Sequence, residues 1–198
     1  MSGVETPLEK TDERLVEEFK QGKEYAFELL MRRHKEKAMK YAYVMVGNYE
    51  DAKEIAQDAF VKVHRNLSEF ELRSKFTTWF YRILVNTSKD YLRKRKLQNF
   101  LKWKDNEEME SYWEQTPDTG AVSDKNILAS ELGEKMTEAI KRLPEKQRWI
   151  FTLRFIEGMS LAEIASVVES SEGTVKASLH FAAEKFKERM KPYLKKGS

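Results

Sequence analysis

The chain has 198 residues, 40% hydrophobic and 35% charged, with a net charge of +3 at pH 7. That balance is too apolar for a disordered chain and too polar for a membrane protein, and the longest apolar runs fall far short of the roughly 20 residues that cross a bilayer. With no cysteine there are no disulfides, no thiol catalysis and no thiolate zinc sites; His34, His64 and His180 stand singly, so no metal or other cofactor is expected.

The opening MSGVETPLEK lacks the hydrophobic core of a signal peptide, so a cytoplasmic protein without membrane insertion is expected. Apolar residues then recur at helical spacing while β-branched alternation never persists, which predicts an all-α fold. A first helix starts after Thr11 or Asp12 and carries Leu15 and Phe19; a break near Gly22 separates it from a second with Phe27, Leu30 and Met31. Ala38, Tyr41, Ala42 and Met45 extend that pattern to Gly47 and Asn48, where glycine supplies a left-handed stop. A third helix, DAKEIAQDAFVKVHRNL, turns Ile55, Ala59, Phe60, Val63 and Leu67 to one side and leaves Asp51, Glu54, Gln57 and Asp58 on the other.

The stretch from Ser74 to Lys96 reads as one long helix with Trp79, Phe80, Ile83, Leu84 and Thr87 as its buried stripe. Arg82, Asn86, Lys89, Arg93 and Lys96 fall at i, i+4, i+7, i+11 and i+14, which aligns them as a cationic ridge. From Phe100 to Lys125 periodicity is lost and Pro117 and Gly120 appear, so an extended acidic linker is expected. Trp103, Tyr112 and Trp113 within it either pack on a domain or dock on a partner. Residues 1–98 hold 20 Lys and Arg against 16 Asp and Glu, residues 99–125 hold 3 against 7, and residues 126–198 hold 13 against 10. An acidic middle between basic ends suggests two DNA-facing modules, and we divide the chain at 12–98, 99–125 and 126–198.

Helical pattern resumes from Ile127 to Leu143, and Pro144 with Glu145 opens a further helix carrying Trp149, Ile150 and Leu153 to Gly158. Ser160 and Glu163 form a capping box, a signature of a helix start. A short helix through Ile164 and Val168, a turn at Glu169, Ser170 and Ser171, and a last helix from Gly173 through Phe186 complete a helix-turn-helix from about Ser160 to about Lys185. In that motif the start of the second helix enters the major groove. The residues so placed are Ser171, Glu172, Thr174, Lys176, Ala177, Ser178, His180 and Lys185, with Val175, Leu179 and Phe186 holding the helix down.

The run LPEKQRWIFTLRFIEGMSLAEIASVVESSEGTVKASLHFA resembles region four of bacterial sigma factors of the sigma-seventy family. NYEDAKEIAQDAFVKVHRN with KFTTWFYRILVNTSKDYLRKRK resembles region two, and nothing between them resembles region three. This is the pattern of the extracytoplasmic-function (ECF) sigma factors. The resemblance implies binding to the beta and beta-prime subunits of core RNA polymerase, promoter DNA as the second partner, and an anti-sigma factor as inhibitor. It implies that Asp51, Glu54, Gln57 and Asp58 meet the polymerase. It further implies that Asn86 captures a minus-ten base, that Arg82, Lys89, Arg93 and Arg95 hold the backbone, and that Phe76 and Tyr81 line the base pocket. Asp105, Glu107, Glu108 and Glu110 become candidates for placing the template strand; a solubilising tether is the alternative.

The recognition helix departs from its relatives, which usually carry arginine at the positions of Ser178, Phe181 and often Ala183, and glycine at Glu169. A free-standing helix-turn-helix regulator would explain the second module but not the ridge and linker. A nucleic-acid-processing enzyme would need clustered carboxylates, an imidazole or thiolate, or a glycine-rich phosphate loop; none of these motifs occurs, and no enzymatic activity is expected. A sigma-like decoy that binds a regulator but not promoters stays open because of the altered recognition helix.

Overall fold

A computed structural model describes residues 10–105 and 131–194. Among them there are helices and turns and no strand: α1 (Asp12–Lys20), α2 (Glu24–Val46), α3 (Tyr49–Asn66), α4 (Phe76–Asp105), α5 (Glu131–Lys141), α6 (Glu145–Phe155), α7 (Leu161–Val168) and α8 (Glu172–Leu194). A single turn of 3₁₀ helix, Leu67–Glu69, follows α3.

The boundaries follow local chemistry. Thr11 caps α1 by accepting a bond from the Arg14 amide at 3.2 Å, and Asn48 caps α3 from the Asp51 amide at 3.0 Å. Between them Gly22 (φ 85°) and Gly47 (φ 78°) take the left-handed backbone that ends α1 and α2. At α7 the Glu163 amide donates to Ser160 Oγ at 3.2 Å while the Ser160 amide donates to the Glu163 carboxylate at 2.9 Å, the reciprocal box expected there.

Helices α1 to α4 form one domain around Leu15, Leu30, Tyr41, Ile55, Phe76, Phe80 and Leu84, each no more than 1% exposed. Each such side chain, moved from water into that core, adds about 1.5–3 kcal/mol. Phe76 and Phe80 stack at 6.0 Å, and Trp79, partly buried, stacks on Phe70 at 4.7 Å. Asp12 ties α1 to α2, bonding His34 Nε2 at 2.7 Å and Arg33 at 2.9 Å. Burial opposes its ionisation, but those two donors outweigh it and hold its pKa below the ordinary carboxylate value.

The second domain, α5 to α8, closes over Leu143, Ile150, Leu153, Ile164, Val167, Val175 and Ala182. Helix α4 runs to Asp105, past the expected end at Lys96 and through the first residues assigned to the linker. No glycine or proline interrupts KLQNFLKWKD, and its lysines, leucines and glutamine favour helix, so the helix persists although Leu97, Phe100 and Leu101 are exposed. The expected extended segment from 106 onward, with Tyr112 and Trp113, lies outside the described residues, as does the start expected at Ile127.

Candidate nucleic-acid interface

Helix α4 turns 100° per residue, and this places Arg82, Asn86, Lys89, Arg93 and Lys96 on one face. Arg82, Asn86 and Lys89 are half-buried, and Arg93 and Lys96 are exposed. Asn86 sits in the middle of the ridge with a side-chain amide that bonds to no described residue. Arg93 pairs with Asp90 one turn earlier. Arg95 leaves the ridge: thirteen residues beyond Arg82 the helix has turned to another face, and its guanidinium pairs with Asp51 of α3. Tyr91 lies beside that pair, and burial, then Asp51, push its pKa up to about 12.

On α3, Glu54, Gln57 and Asp58 are exposed, while Asp51 is half-buried and held by Arg95. Phe76 and Tyr81 do not stand on a surface, as pocket walls would. Phe76, 1% exposed, packs against His34, Phe70 and Phe80 in the core of the first domain. Tyr81, 2% exposed, meets Tyr41 edge-on at 5.6 Å and lines a cavity of about 130 Å³ between the domains with Glu157 and Met159. Burial, then the Glu157 charge, raises its pKa beyond the range in which tyrosine ordinarily titrates.

The two domains meet across the ridge. Arg148 of α6 donates to the Met45 carbonyl at 2.9 Å and the Val44 carbonyl at 3.4 Å, satisfying the end of α2, and to Leu143 of its own domain at 3.2 Å. Arg82 donates to the Ser166 carbonyl at 3.2 Å and to its hydroxyl. Lys75 pairs with Glu163 at 2.9 Å, Lys37 with the buried Glu157 at 3.7 Å and Lys96 with Glu145 at 3.4 Å. The Lys89 ammonium sits 4.8 Å from the Trp149 ring centre, and Lys141 lies 3.9 Å from that of Tyr43. Sequence reasoning found Glu163 as a capping residue but missed Lys75, Arg148 and Ser166, because pairs so distant along the chain leave no periodic trace.

In the helix-turn-helix, Glu169 takes a left-handed backbone at the turn, with φ 54° and ψ 57°. Ser171 caps α8: its hydroxyl accepts from the Thr174 amide at 3.2 Å and lies 2.8 Å from the Thr174 hydroxyl. Val175 and Ala182 are fully buried, with Leu179 and Phe186 packed beside them, so the opposite face of α8 is turned outward. Glu172, Thr174, Lys176, Ala177, His180 and Lys185 are exposed and Ser178 is half-buried. Lys185 reaches Gln147 at 3.4 Å, and His180 lies 3.7 Å from Glu184. Among the described residues no group of acidic and histidine side chains could hold a metal ion, and no helix is long and apolar enough to cross a membrane.

Known proteins share both modules. Residues 30–98 match the family described as Sigma-70 region 2 and residues 133–186 match Sigma-70, region 4, the order of modules in a sigma-70-type transcription factor. The ECF RNA polymerase sigma factor SigW of Bacillus subtilis is 30% identical over 186 residues, 93% of this chain and 99% of the relative. The ECF RNA polymerase sigma-E factor of Escherichia coli K12 is 33% identical over 193 residues, 94% of this chain and 97% of the relative. This chain belongs to the ECF RNA polymerase sigma factors. The fold is also that of CnrH, solved in complex with the cytosolic domain of CnrY, at a TM-score of 0.64 and 21% identity, covering 96% of this chain and all 100% of that one. RpoE of Bartonella quintana, solved with the anti-sigma factor NepR, gives 0.62 at 21% identity, covering 83% and 96%.

Proposed function

We propose that this chain binds core RNA polymerase, through its beta and beta-prime subunits, and directs it to promoters in the cytoplasm. The catalytic step stays with the polymerase, and an anti-sigma factor is the inhibitor. Residues 12–98 act as region two and residues 126–198 as region four, with 99–125 as the acidic connection. The exposed face of α3, with Glu54, Gln57, Asp58 and the Arg95-held Asp51, meets the polymerase. Arg82, Lys89 and Arg93 hold phosphates of the minus-ten strand while Asn86 reads a base taken out of the stack. The start of α8, from Ser171 to Lys185, takes the minus-thirty-five element.

The observation that carries this reading is a half-buried amide, without a hydrogen bond among the described residues, at the centre of a cationic ridge, in a chain that also presents the outer face of a capped recognition helix. The ridge cations Arg82 and Lys89 face the second domain, so strand capture exchanges their contacts there for contacts to DNA. Reconstitution with core polymerase, then transcription and strand opening on a randomised promoter library, tests the proposal. Holoenzyme that initiates from a selected sequence is the expected result. Absence of holoenzyme sinks it, and holoenzyme that never initiates supports the decoy instead.

A further inference from the structure

We propose that α8 reads thymine methyl groups, using an apolar strip made of the Thr174 methyl, Ala177 and the Phe181 ring. The inference rests on α8 being the groove-facing helix of the function proposed above. Thr174, Ala177 and Phe181 stand at i, i+3 and i+7, within about 60° of one another on a helix that turns 100° per residue. Buried Val175 and Ala182 fix the opposite side, so the strip faces out, and Phe181 is 54% exposed. Among the described residues, its ring lies 5.7 Å from that of His180.

The hydroxyl of Thr174 is committed to the helix cap. It lies 2.8 Å from Ser171 Oγ, which also takes the Thr174 amide. The side chain therefore offers its methyl to a ligand. No cation stands in the strip. Lys185 stands one turn beyond Phe181 on the same face and reaches Gln147 at 3.4 Å, Lys176 is turned about 100° away from Ala177, and the Glu184 carboxylate lies 3.7 Å from His180. A lysine at the end of the strip fits a polyanion better than an apolar protein partner.

In the major groove guanine is read by arginine or lysine through two hydrogen bonds, whereas the apolar feature on offer is the C5 methyl of thymine. A strip with no fork of donors at its centre cannot make the first contact and is shaped for the second. Water is then displaced from ring and methyl together, which is the source of the affinity.

The test uses holoenzyme assembled from the full chain and core RNA polymerase. An upstream element is selected from a randomised library, and each thymine is then replaced by uracil, which removes only the methyl. The expected result is a thymine-bearing element whose affinity falls about fourfold for each critical methyl removed. Holoenzyme carrying Phe181→Ala should discriminate thymine from uracil less than the unsubstituted holoenzyme does. A guanine-dependent element, or full insensitivity to uracil while the element is still required, overturns this inference and leaves the proposed function intact. Holoenzyme indifferent to any upstream sequence overturns the groove-facing role of α8 and this inference with it.

Discussion

Glu169 holds a left-handed backbone at the turn between α7 and α8, where its Cβ crowds the following carbonyl at a cost of roughly 1 kcal/mol that glycine escapes. Glu169→Gly is therefore expected to raise the melting temperature by a few degrees, and an unchanged or lower value in calorimetry refutes the strain. Its neighbour in the motif, Glu163, has a pKa lowered to about 2, first by the Ser160 amide and then by Lys75 across the domain boundary. Its stabilising effect is present above its ordinary value of 4.5 and is lost as pH falls from there towards 2. In a carboxyl-selective NMR titration, Lys75→Ala should move the Glu163 midpoint up while leaving it below 4.5, because the cap remains. A return all the way to 4.5 would assign the shift to Lys75 alone.

At the scale of helices, the proposed function divides two tasks between α3 and the ridge of α4. Gln57→Ala with Asp58→Ala is expected to weaken binding to core polymerase about tenfold while strand opening by saturated holoenzyme persists. Asn86→Ala should keep polymerase affinity and lose about 1–3 kcal/mol of minus-ten discrimination, read as slower opening on the selected promoter. Arg95→Ala is expected to sort with the α3 pair, since Arg95 props Asp51. Equal losses in both assays from either set would merge the tasks. The helices themselves were legible because Thr11, Gly22, Gly47 and the Ser160 and Glu163 pair carry start and stop signals in their own chemistry. The end of α4 was not, because Leu97, Phe100 and Leu101 continue the helix without burying a face. The displacement of Arg95 could have been found by counting 100° per residue from Arg82. The burial of Phe76 and Tyr81 could not, since aromatics at a helix start suit a pocket and a core equally well.

Across the whole molecule, the buried apolar side chains of the two domains join in one cluster, and the exposed ion pairs around it, such as Lys75 with Glu163, are each worth little in water. Arg148 is different. It is half-buried, and desolvation lowers its pKa; its bonds to the Val44 and Met45 carbonyls close the end of a helix in the other domain. Hydrogen bonds from a charged donor contribute about 1.5–3 kcal/mol, so Arg148→Ala should shift the balance towards separated domains by roughly tenfold or more. The chain has no cysteine of its own, so Lys53→Cys on α3 and Lys187→Cys on α8 admit a fluorescent pair without background labelling. Energy transfer between them is expected to fall in Arg148→Ala and to fall further with added salt, which screens the remaining pairs. Core polymerase should produce the same loss of transfer in the unsubstituted chain, because under the proposed function the ridge exchanges Ser166 and Trp149 for DNA. Transfer that stays constant through the substitution, the salt and the polymerase would mean that the domains move as one body and that DNA reaches the ridge by another route.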